Sequence, residues 1–169
     1  AYKLMKQDDS STGFFGRLFN FNKKETDAYS TATLKETYSR SLVRENKLKV
    51  LKDILLDEKY DVNQPIVTES KHNLLHETIS LNRFEAFNLV LLMKADPNIP
   101  CGLGIPPLVK AAGLGRLQMV KKLLESGADP NAVTPKGQTA IDKAKFHDQW
   151  EVVEFLENYN KQLGLNTKE

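Results

Sequence analysis

Ala95-Asp96-Pro97-Asn98 and Ala128-Asp129-Pro130-Asn131 are the same four residues, set 33 positions apart. One shared tetrapeptide could be chance, but the offset holds well beyond it. It carries Leu75 to Leu108 and Ile141, Phe87 to Val120 and Val153, and Val90 to Leu123 and Leu156. It also carries Leu89 to Lys122 and Phe155. A period held across three segments points to stacked structural units, and it has to be settled before any local reading.

Within each unit the apolar spacing is helical. Leu108, Ala111 and Ala112 share one face of a short helix, and Met119, Val120, Leu123 and Leu124 share one face of a second. Gly115 separates the two, with Asn82 one unit earlier and Asp148 one unit later. These are the residue types that best tolerate a left-handed backbone, which ends a helix and reverses the chain. Asn73 and Thr139 are placed to cap the first helix of their units, and Pro107 suits a first helical turn. Between units, Gly102, Gly104, Pro135 and Gly137 mark tight turns.

The runs Glu125 to Ala132, Gly137 to Ala144 and Leu74 to Thr78 resemble the ankyrin repeat. That resemblance implies an all-α ankyrin repeat solenoid: a turn, two antiparallel helices, then a finger projecting into the next unit. It covers roughly 68–160 as three clear repeats. In the last unit the family's Thr-Pro-Leu-His is Thr139-Ala140-Ile141-Asp142, a change typical of terminal units, with Lys145, Gln149, Glu154 and Glu157 to cover an outward face. Lys94 stands where the family prefers glycine, which predicts a strained turn. His76 falls on the family's structural histidine. Upstream, 34–67 reads as a divergent N-terminal capping repeat, with Val50, Leu51, Ile54 and Leu55 as its stripe and Asn46 at the turn. An extended N-terminal tail, 1–33, and a C-terminal tail, 161–169, complete the organisation.

The totals narrow the function. A hydrophobic fraction of 40% and a charged fraction of 27% describe a chain able to bury a core. The net charge of +2 comes from interleaved acids and bases, with no dense cationic tract for a nucleic-acid backbone. A single cysteine, Cys101, excludes an internal disulfide. No apolar run reaches the length of a spanning helix, and no secretory signal is expected from the first residues. The expected setting is intracellular, with cytoplasm and organelle undivided.

Repeats bury their stripes only against their neighbours, and the stack leaves a long surface of fingers and first helices. The resemblance implies a protein partner there, without cofactor, metal, small-molecule substrate or catalysis. Candidate contacts are Lys71 and His72 in one finger, Ile99, Cys101, Leu103 and Ile105 in the next, and Lys136 in the last. Glu77, Lys110, Lys143 and Phe146 are candidates on first helices. Cys101 is expected in an exposed finger. Ile99 and Leu103 can equally pack onto neighbouring fingers.

Phe14, Phe15, Leu18, Phe19 and Phe21 form an aromatic patch in the tail. It can cover the end of the stack, anchor into a partner, or touch a membrane surface. An anchor would make the chain a permanent accessory subunit of a large assembly, the alternative to an adaptor. Weaker signals are set aside. His72 and His76 lack a third ligand for a metal, Cys101 lacks a specified base, and Gly102-Leu103-Gly104 lacks the rest of a phosphate loop. Trp150, beside Val152 and Val153, is expected to pack at the end of the core, and Lys121-Lys122 to face solvent.

Overall fold

The 33-residue period becomes one helix pair per unit. The computed structural model describes residues 39–56, 61–63 and 72–164. A helical stretch over 39–44 leads into α1 (Leu48–Leu55). The next pair is α2 (Leu74–Ser80) with α3 (Phe84–Leu92), then α4 (Pro107–Gly113) with α5 (Leu117–Glu125). The last pair is α6 (Ala140–Phe146) with α7 (Trp150–Gln162). No strand occurs among the described residues. First helices pack in a row, α2 on α4 and α4 on α6, while α1 packs on α3 and α5 on α7.

Helix reversal happens where the left-handed residues stand. Asn46, Asn82, Gly115 and Asp148 have φ of 56°, 54°, 67° and 56°. In each case the next residue's N–H reaches a carbonyl five residues back: Lys47 to Leu42, Arg83 to Thr78, Arg116 to Ala111 and Gln149 to Ala144, at 2.9 to 3.0 Å. These bonds satisfy carbonyls that the helix end would otherwise leave open. The second helices end likewise at Lys94 (φ 65°) and Gly127 (φ 89°). Lys94 therefore holds the left-handed backbone without glycine's freedom, as its position predicted.

The helix starts also follow the chain's chemistry. The Asn73 Oδ1 accepts the His76 N–H at 3.0 Å. Thr139 and Asp142 cap one another: the Asp142 N–H donates to Thr139 Oγ1 at 3.1 Å, and the Thr139 N–H donates to Asp142 Oδ2 at 2.8 Å. The Thr139 N–H and, at 2.7 Å, the Thr139 hydroxyl both donate to Asp142 Oδ2 and hold its carboxyl below the ordinary range. Helix α4 opens on Pro107, where the missing donor costs nothing.

The core is the sum of the facing stripes. Leu75, Ile79, Phe87 and Val90 are buried in one unit, Leu108, Ala111, Ala112, Met119, Val120, Leu123 and Leu124 in the next, and Val152, Val153 and Leu156 in the last. Ala111 and Ala112 on α4 and Ala140 and Ala144 on α6 are buried where the two helices pack. In the first pair Leu51, Ile54 and Leu55 are buried, while Val50 is only half-buried. At the other end Ile141 is half-buried, unlike Leu75 and Leu108. There α7 runs on past Asn160, the register position of Lys94 and Gly127, and Lys145 Nζ pairs with Glu157 Oε1 at 2.9 Å.

Consecutive units are also tied by a polar ladder. The Asn63 Oδ1 accepts the Asp96 N–H, and the Asn98 Oδ1 accepts the Asp129 N–H, both at 2.8 Å. The Asn98 Nδ2 donates to the Gly127 carbonyl at 3.0 Å. Each aspartate folds its own turn, Asp96 Oδ1 accepting the Asn98 N–H at 2.8 Å and Asp129 Oδ1 the Asn131 N–H at 2.9 Å. The Asp-Pro-Asn motif is thus a turn and an inter-unit clamp together.

Candidate protein-docking face

Glu77, Lys110 and Lys143 occupy one position on three successive first helices, 33 residues apart. Packing of α2, α4 and α6 in a row brings this series together. Glu77 is buried rather than open, which corrects its expected role as a contact residue. The physical reason is the preceding unit: Arg40 Nε lies 2.9 Å and Arg44 Nε 3.4 Å from Glu77 Oε1. The two guanidiniums compensate the carboxylate's loss of water. The Arg83 Nη2 in turn donates to the Arg44 carbonyl at 2.9 Å.

A polar chain continues from Glu77 across the row. The His72 Nδ1 stands 4.0 Å from Glu77 Oε2, and the Lys110 Nζ donates to His72 Nε2 at 3.0 Å. That bond requires a lone pair on Nε2, so His72 is neutral with its proton on Nδ1. Burial, then the Lys110 charge, lower the His72 pKa. Burial also lowers the Lys110 pKa. Lys143 Nζ sits 5.4 Å from the Phe146 ring centroid, a cation–π contact.

His76 is structural, as its position in the repeat implied. Its Nε2–H donates to the Ile105 carbonyl at 2.9 Å, tying α2 to the following finger. Its Nδ1 lies 2.7 Å from Asn73 Oδ1. Burial pushes its pKa down to about 4, against the opposing pull of the Ile105 carbonyl. The His72 and His76 rings stack, with centroids 5.9 Å apart. Among the described residues, no group of three His, Cys, Asp or Glu is placed to hold a metal ion.

The fingers separate into inward and outward positions. Leu103 is 59% exposed and Val133 48%, whereas Ile99 and Ile105 are half-buried. Lys136 is exposed. Cys101 is 4% exposed, which corrects the expectation of an exposed thiol. Its N–H donates to the Ile105 carbonyl at 3.1 Å and its carbonyl accepts the Gly104 N–H at 2.7 Å, closing a tight turn. Thr134 closes the same turn one unit later and is buried too. The position lies at the base of the finger and faces inward in both.

Aromatic exposure at the far end was partly anticipated. Phe146 is 72% exposed, beside Lys143. Trp150 is 61% exposed and does not pack in the core, contrary to expectation. The buried stripe of α7 runs through Val152, Val153, Leu156 and Asn160. At about 100° per residue, Trp150 falls roughly a quarter turn off that stripe. Lys122 faces solvent beside Glu125, while Lys121 lies over the Phe155 ring at 5.2 Å. Phe14, Phe15, Leu18, Phe19, Phe21 and Lys71 lie outside the described residues.

Antiparallel helix pairs, stacked in register and linked by fingers, define a helical-repeat solenoid. A family model of ankyrin repeats, in three copies, matches residues 75–167. The chain belongs to the ankyrin repeat family. It is 29% identical over 157 residues to a Rickettsia bellii (strain RML369-C) protein that carries an ankyrin-repeat description. That match covers 88% of this chain and 44% of the relative. It is 50% identical over 50 residues to a rice (Oryza sativa subsp. japonica) protein named Probable E3 ubiquitin-protein ligase XBOS33, covering 30% of this chain and 10% of that protein. The chain therefore spans less than half the length of either relative. Ankyrin repeats are a protein–protein interaction module and are typically non-catalytic. No helix among the described residues is long and apolar enough to cross a membrane.

Proposed function

We propose that this chain is a non-catalytic docking module whose protein partner lies along the fingers and first helices. The observation that supports it is that, among the large apolar side chains the core leaves outside, Leu103 and Val133 stand on consecutive fingers and Phe146 on α6. Exposed apolar side chains spread over successive repeats suit an interaction surface better than a pocket for small-molecule chemistry. An interface of ordinary size takes about 800 Å² from each partner, which a face running over several repeats supplies.

The test is a crosslinking pull-down from the native source with three baits: the intact chain, Leu103→Asp, and a chain lacking residues 1–33. Leu103 is exposed, so the substitution leaves the core intact. Loss of the captured partner with Leu103→Asp, but not with truncation, supports docking on the finger face. Loss on truncation alone overturns it in favour of a permanent subunit anchored through its Phe14-to-Phe21 segment.

A further inference from the structure

Charge along the first-helix row does not balance. Glu77 is the one carboxylate at its register position, and it already faces Arg40 and Arg44. The next two positions are Lys110 and Lys143, neither in a salt bridge with a carboxylate among the described residues. The carboxylate whose charge reaches Lys110 is Glu77, which Arg40 and Arg44 already share. Lys110 Nζ is satisfied only by the uncharged His72 imidazole at 3.0 Å. Lys143 Nζ is met by the face of Phe146. Both lysines are half-buried. An opposite charge brought to a partly desolvated ammonium interacts more strongly than it would in bulk water.

We propose that Lys110 and Lys143 receive two carboxylates from an extended, acidic segment of the partner, three residues apart in its sequence. This rests on the docking face proposed above and adds the chemistry of what docks there. The spacing rests on the general separation of packed helices. Adjacent packed helices such as α4 and α6 lie roughly 8–10 Å apart. A polyproline-type segment turns once every three residues and rises ~3.1 Å per residue, so positions i and i+3 face the same way about 9 Å apart. In a β-strand, neighbours on one face are only about 7 Å apart. A helical ligand matches the span only with acids seven residues apart, about 10.5 Å. The exposed Phe146 ring, next to Lys143, offers an apolar seat just beyond the second acid.

The proposal is tested by fluorescence anisotropy, using the full chain and a labelled proline-rich peptide with two glutamates three residues apart. The expected result is binding that weakens when either glutamate becomes glutamine and when salt is raised. Lys110→Gln and Lys143→Gln should each reduce affinity about two- to fivefold. Among the described residues the Lys143 ammonium meets the Phe146 ring and no member of the Glu77 cluster, so its substitution tests the pairing without disturbing that cluster. Equal affinity for the glutamate and glutamine peptides, or indifference to both lysine substitutions, overturns the proposal. So does preference for a helical peptide with acids seven residues apart.

Capture of the native partner by Leu103→Asp separates the two levels. If capture falls but the peptide does not distinguish glutamate from glutamine, the docking face stands and the acidic preference fails. If capture is indifferent to Leu103→Asp, the docking reading fails, whatever the peptide does.

Discussion

At Lys94, φ of 65° places a β-carbon-bearing residue in a region that costs about 1–2 kcal/mol. The equivalent residue one unit later is Gly127, at φ 89°. Lys94→Gly should therefore stabilise the chain by about 1 kcal/mol, less whatever glycine adds to the freedom of the unfolded state. A rise of the melting temperature by about 2–4 °C would register it, and a fall would show that the Lys94 side chain contributes more than its backbone costs. His76 sets a second expectation. Its folded pKa is about 4, below the ordinary value near 6.5. Above pH 6.5 the ring is neutral in both states. As pH falls from 6.5 towards 4 the unfolded chain takes up a proton that the folded chain refuses. Stability should then drop by about 3 kcal/mol over that window, with His72 acting in the same direction. Urea midpoints between pH 7.5 and pH 4.5 measure the slope, and His76→Gln should flatten most of it. Both His76 ring nitrogens face oxygens, so a slope of opposite sign would mean that this pair holds an imidazolium instead.

Elements are joined by contacts that no single unit contains. A β-carbon on Gly104 would come within 2.5 Å of Pro135 Cγ, where one finger meets the next, and Gly104 has φ of 72°. Gly104→Ala should cost at least the ~1–2 kcal/mol of a left-handed alanine, because a closed proline ring cannot rotate away from the added methyl as a flexible side chain would. Asn98 holds Asp129 and Gly127 of the following unit. Asn98→Ala should destabilise by about 1 kcal/mol, the net worth of an exposed hydrogen bond whose donor regains water. Thermal melts rank the two variants against wild type. This is also the scale at which sequence reading reached furthest. Asn46, Asn82, Gly115 and Asp148 were identifiable as reversals because backbone chirality limits which residues serve there. Asn73, Thr139 and Pro107 were identifiable as helix starts because the open N–H groups of a first turn choose their partners locally. The Asn clamp was not visible, because its partner stands in the next unit.

Over the whole molecule, stability is close to a sum of unit and nearest-neighbour terms, so a local defect should stay local. Thr139→Ala removes the reciprocal cap with Asp142 at a cost of about 1 kcal/mol. Hydrogen exchange should then quicken in α6 and α7 while α2 and α3 keep their protection. Uniform quickening would show the stack to open as one cooperative block. The 33-residue period, the helix pairs, the left-handed turns and the buried stripes were determined by the sequence itself. Each depends on residues within one period: hydrophobic spacing, capping groups and allowed φ. The exposure of particular side chains was decided by tertiary structure. Glu77 is sealed by two arginines of the preceding unit, and Cys101 is turned inward beneath its own finger. Trp150 is left in water because the buried stripe of α7 passes beside it. Glu77, Lys110 and Lys143 share one register position, yet one is closed off and two remain half-open. Charge and burial at a repeated position depend on what the neighbouring unit lays over it, and a linear period does not carry that information.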